Sequence, residues 1–148
     1  LVPTLFPFNE SPTNAETCHL TDRHLEDLQA DYEAAEEMFA NALEMDVPMA
    51  LGSDSYPPLG SHVGATAKEA RFWVDFGSSP MNAIVHATRE SAKALERSEE
   101  VGTLETGKYG DLLLVDGRPH VDIEDLRPEN MNIVMKGGTV VKRRQRET

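Results

Sequence analysis

"VPMALGSDS", residues 47–55, is the stretch on which the fold turns. Val47 to Leu51 form an apolar run of the length of a buried strand, entered through Pro48. Gly52, Ser53 and Asp54 then end it abruptly. A carboxylate at the carboxyl end of a buried strand is where parallel α/β barrels keep their chemistry. The same carboxylate could simply cap the next helix.

Upstream, Thr21 is a good N-cap, and Leu25, Leu28, Tyr32, Ala35, Phe39 and Ala42 recur at alternating threes and fours. That spacing predicts an amphipathic helix to about Glu44. Its solvated face carries Glu26, Asp27, Glu33, Glu36, Glu37 and Glu44. "LVPTL" at 1–5 reads as a strand, and residues 6–20 read as a loop punctuated by Pro7, Pro12 and Asn14. The order strand, helix, strand favours parallel strands joined by a right-handed crossover.

Downstream, "YPPLGSHVG" holds too much Pro and Gly for regular structure. A short helix is expected from about Ala65 to Phe76, ended by Gly77, with Phe72 and Trp73 packing it. Ser79 followed by Pro80 signals another helix start, with Met81, Ile84, Val85, Thr88, Ala92 and Leu95 as its inner stripe. From Val101 the chain becomes turn-rich and leads into an apolar strand, Leu112–Val115. "NIVMKGGTVVKR" reads as a β-hairpin turning at Gly137-Gly138, the pair that supplies positive φ. The expected organisation is α/β, with a first part over 1–100 and a small all-β part over 101–148.

Composition narrows the function. The chain has 148 residues, 39% of them hydrophobic, so one domain with a real core is within reach. Its 26 acidic against 14 basic residues give a formal charge of −12. No basic stripe exists to neutralise phosphates, which argues against nucleic acid and anionic membrane surfaces as partners. The basic cluster Lys142, Arg143, Arg144 and Arg146 reads as a solvated terminus. The single cysteine, Cys18, excludes an internal disulfide and fits a reducing, cytoplasmic setting. No stretch approaches the ~20 apolar residues of a membrane span.

Taken in order, "LVPTL", "VPMALGSDS", "SPMNAIVHATRESAKAL", "VGTLETGKYGDLLLVDG" and "NIVMKGGTVV" resemble the carboxyl end of the amidohydrolase superfamily, within it the imidazolonepropionase-like and Xaa-Pro dipeptidase-like hydrolases. The resemblance implies the last strands and helices of a (β/α)8 TIM barrel plus part of a small β-sandwich. Leu1–Leu5 would be strand seven, Val47–Gly52 strand eight, and residues 101–142 the sandwich portion. It also implies metal-dependent hydrolysis of C–N bonds in a small cyclic amide or a dipeptide-like substrate.

On that resemblance Asp54 is the catalytic residue and a metal ligand. It takes the proton of the attacking water and passes it to the leaving nitrogen. Gly52 would let the backbone turn tightly before it. His62, Ser55, Tyr56 and His19 are the candidate substrate-binding residues. The implied cofactor is a divalent metal, zinc by family habit, one or two ions. The family's other ligands (a His-x-His, a central Lys or carboxylate, and two further His) would lie before Leu1. The expectation is therefore a carboxyl-terminal fragment whose partner is the missing amino-terminal part, with homo-oligomerisation open. One carboxylate does not hold a catalytic zinc. The other class of reading is a free-standing non-catalytic module that keeps the sandwich as an interaction surface.

Overall fold

The computed structural model describes residues 1–11, 15–16, 18–55 and 64–144. Five helical elements are labelled in chain order: α1 (Phe6–Glu10), α2 (Asp22–Glu44), α3 (Ala65–Asp75), α4 (Pro80–Val85) and α5 (Ser91–Ala94). A π-helical turn, His86–Glu90, joins α4 to α5. Three strands follow: β1 (Leu112–Val115), β2 (Met131–Lys136) and β3 (Thr139–Arg143).

α2 begins where the capping signal places it. Thr21 Oγ1 accepts from the His24 amide at 3.4 Å, and His24 Nδ1 accepts from the Thr21 amide at 3.2 Å. The apolar stripe is the packed one, with Ala35, Phe39 and Ala42 buried and Leu25, Leu28 and Tyr32 half-buried. The acidic face is exposed throughout. α3 ends in a Schellman turn: Gly77, at φ 102, donates to Val74 O at 3.0 Å, and Ser78 N donates to Trp73 O at 2.9 Å. Ser79 Oγ accepts from the Asn82 amide at 3.2 Å and starts α4, with Pro80 in the first turn.

The core joins both parts of the chain. Phe39 of α2 meets Trp73 of α3 edge-on at 4.9 Å, and Leu5, Phe6, Met49, Phe72, Ala83 and Ile123 belong to the same cluster. Ile123 lies on a 3₁₀ turn, Ile123–Leu126, so the chain beyond α5 packs back onto α3. Arg71 of α3 pairs there with Glu124 at 3.7 Å.

β1, β2 and β3 form an antiparallel sheet in that order. Lys136 pairs with Thr139, so Gly137 and Gly138 are the two turn residues. Both have positive φ, 57 and 79, as the paired glycines predict.

Three expectations change. Residues 6–20 contain α1, which the loop reading missed. Pro7 presets the first helical turn, and the carboxylate of Glu69, 63 and 64 positions along the chain from the amides it accepts, caps it. The runs 1–5 and 47–52 carry no strand ladder. The Leu1 amino group donates to Pro48 O at 3.1 Å and Ala50 N donates to Leu1 O at 2.9 Å, a single parallel bridge opposite Met49. The first run then turns helical at Leu5, and side chains of the α4–α5 rod occupy the other edge of the second. Finally, Met81 and Leu95 are exposed while Ala83 and Ala92 are buried. The π turn spends an extra residue, so no single 3.6-residue stripe can run through the rod.

Candidate functional site

The site is built on the run 47–51. Met49 and Ala50 anchor it in the interior, and the chain emerges at Gly52–Asp54. Gly52 keeps an ordinary φ, so tight turning is not its role. A Cβ there would stand 3.0 Å from Val2 Cγ1, and the absence of a side chain lets the amino-terminal run lie close.

Asp54 is exposed and sits at φ 44, in the left-handed region. Among the described residues its carboxylate has no hydrogen-bond or ion-pair partner. Asp tolerates this backbone better than most residues, yet the conformation is held at some energetic cost. Ser55 follows, half-buried. His19 is exposed and also left-handed, at φ 54. Tyr56 and His62 lie outside the described residues. No hydrogen bond joins His19 to Asp54, so of the three described candidates the neighbours Asp54 and Ser55 stand together.

A metal needs more than this. Among the described residues no group of three or more His, Cys, Asp or Glu is arranged to hold one. Asp54 fits as one donor with open lone pairs, short of the three protein ligands of a catalytic zinc.

The structure adds side chains that hold the two runs. Glu69 is fully buried on α3. Its Oε1 accepts from Leu5 N at 3.1 Å and from Trp73 Nε1 at 3.0 Å, and its Oε2 accepts from Phe6 N at 2.7 Å. Burial pushes its carboxyl up to about 7, against the pull of those donors. His86 Nδ1 lies 2.7 Å from Met49 O, and Ser91 Oγ accepts from Leu51 N at 3.2 Å. The signal for Glu69 was present: a carboxylate at i, i+4 from Trp73 on the apolar face of a helix. It is legible only once something needs its oxygens.

The chain is similar to several known proteins. The model of the amidohydrolase family matches residues 11–141. An imidazolonepropionase of Haloarcula marismortui is 32% identical over 95 residues, covering 64% of this chain and 22% of that protein. An imidazolonepropionase of Geobacillus kaustophilus is 31% identical over 100 residues, covering 67% of this chain and 24% of its own length. Among solved structures, a Xaa-Pro dipeptidase with bound methionine in the active site superposes with a TM-score of 0.77 at 30% identity, covering 95% of this chain and 34% of that one. The A. niger ochratoxinase gives 0.77 at 27% identity, over 97% and 32%. The chain thus spans about a quarter of the length of the curated relatives it matches.

Proposed function

The chain belongs to the amidohydrolase family, and from that premise we propose that it forms the carboxyl-terminal part of a metal-dependent hydrolase of C–N bonds. In this reading the runs 1–5 and 47–52 are strands seven and eight of a (β/α)8 barrel, and the sheet β1–β3 is part of a composite β-sandwich. The names of the similar proteins, imidazolonepropionase and Xaa-Pro dipeptidase, support a small cyclic amide or a dipeptide-like molecule as substrate. The remaining amino-terminal part of the same enzyme is the structural partner. The lone Cys18 fits a reducing, cytoplasmic setting.

One observation carries the reading. Asp54 holds an open carboxylate in a strained backbone at the exit of a clamped, parallel-bridged run. A left-handed backbone at an exposed carboxylate with no partner among the described residues supports a functional use for it. A divalent cation, zinc here, would supply Lewis-acid activation of water. Asp54 provides one ligand and accepts the proton of the attacking water, then returns it to the departing nitrogen. Ser55, Tyr56, His62 and His19 contact the substrate from the loops.

In the full-length protein, supplied with zinc, Asp54→Asn should fold normally, because Asn also adopts the left-handed region. Hydrolysis of an imidazolone ring or an Xaa-Pro dipeptide should fall by at least about a hundredfold. Wild-type turnover by that variant would overturn the role.

A further inference from the structure

The two runs that lead toward the candidate site are held by polar side chains from α3 and the α4–α5 rod, and those side chains touch one another. Glu69 takes the Leu5 and Phe6 amides, at 3.1 and 2.7 Å, and the Trp73 indole N–H, at 3.0 Å. The Trp73 ring lies 5.1 Å from the His86 ring, tilted by 44°. His86 Nδ1 reaches Met49 O at 2.7 Å. A carbonyl only accepts, so Nδ1 carries the proton. Ser91 Oγ receives the Leu51 amide at 3.2 Å and donates to His86 O at 2.6 Å.

The π turn makes this possible. His86 and Ser91 are five positions apart, which an α-helix would separate by about 140° around its axis. The extra residue of the turn lets both address the backbone of 49–51. Glu69 and Trp73 are fully buried, so their contacts act in a low dielectric with little freedom to rearrange.

We propose that Glu69, Trp73 and His86 form one positioning network that couples the Leu5–Phe6 turn to Met49–Leu51 and so sets where Asp54 stands. None of the three touches a reacting atom. The consequence for catalysis rests on the proposed role of Asp54; the coupling itself does not. Displacing one end of the network moves the other, because the indole is bonded to Glu69 through its N–H and packed against the tilted imidazole of His86.

Hydrogen exchange read by mass spectrometry on the full-length protein tests it. Glu69→Gln and Trp73→Phe should speed exchange in peptide 47–55 by at least about threefold, beyond their effect on peptide 1–11. His86→Asn should do the reverse, reaching peptide 1–11. Trp73→Phe keeps a ring in the core, so it carries the test if Glu69→Gln fails to fold. Changes confined to the segment each side chain bonds would overturn the network. So would uniform acceleration that includes α2, the mark of a loosened core.

A second readout uses Co²⁺ as the metal probe. Trp73→Phe should alter the visible spectrum of the Co²⁺-loaded protein although Asp54 is intact. An unchanged spectrum would overturn the link to Asp54. Wild-type protein that takes up no Co²⁺ would defeat the metal reading, while the exchange coupling would still decide the network.

Discussion

Asp54 pays for its position in backbone strain, and that strain can be measured. At φ 44 a β-carbon crowds the following carbonyl, a penalty of about 1–2 kcal/mol for most residues. Asp54→Gly should therefore raise the stability of the full-length protein by about 0.5–1 kcal/mol in urea unfolding, while turnover is lost. A variant no more stable than wild type would show that the backbone there is relaxed. Glu69 gives the opposite kind of signature. Burial lifts its carboxyl from an ordinary 4.5 to about 7, so the fold favours the neutral form. Its contribution is complete below pH 4.5 and is lost as pH rises through about 7, at most roughly 3 kcal/mol. Glu69→Gln should flatten stability between those limits. Glu90, Glu105 and Asp111 act in reverse and only at acid pH. Hydrogen bonds from Arg89, from Thr103 and from Lys136, respectively, hold their carboxyls below the usual range.

At the scale of elements, the ends of helices and the hairpin turn are the informative places. α2 closes through Asp46 at φ 50, with Val47 N donating to Ala42 O at 2.9 Å and Asp46 N to Leu43 O at 3.2 Å. That is the Schellman position glycine prefers, so Asp46→Gly should add about 1 kcal/mol, read as a raised thermal midpoint. Asp46 also starts the run that leads to Asp54, and the site depends on this turn for its direction. In the sheet, Gly137 at φ 57 permits the two-residue turn between β2 and β3, and Asp111 Oδ1 accepts its amide at 2.6 Å. Gly137→Val should cost about 1–3 kcal/mol through strain. An unaltered melting curve would mean that the turn can be redrawn.

At the scale of the whole molecule, large apolar side chains lie exposed at several places among the described residues. Leu1, Met38 and Met45 are exposed around a cleft of about 490 Å³ beside α2, and Val2 is exposed as well. Val140 and Val141 lie open on β3, and Leu113 and Leu114 on β1. Residues 1–148 expressed alone should therefore self-associate despite the charge of −12, because that charge is screened within about 8–10 Å at physiological salt. The outer edge of β3 also offers backbone groups for pairing. Light scattering after sizing chromatography reads this directly. A monodisperse monomer with cooperative unfolding would refute it and favour the free-standing module.

The sequence by itself determined what depends on neighbours along the chain. Thr21, the 25–42 stripe, Gly77, Ser79-Pro80 and Gly137-Gly138 act within a turn or two, and each element they announce is in place. The family was legible for a related reason, since several such short pieces occur in a fixed order. Tertiary structure decided the rest. α1 exists because a carboxylate on α3 takes its first amides, and the π turn redirects the inner face of the rod through contacts with 49–51. Asp54 was visible as a residue type, but its strained backbone was not. The run that leads to it is held by Leu1, His86 and Ser91, all distant in sequence, and periodicity carries no record of them.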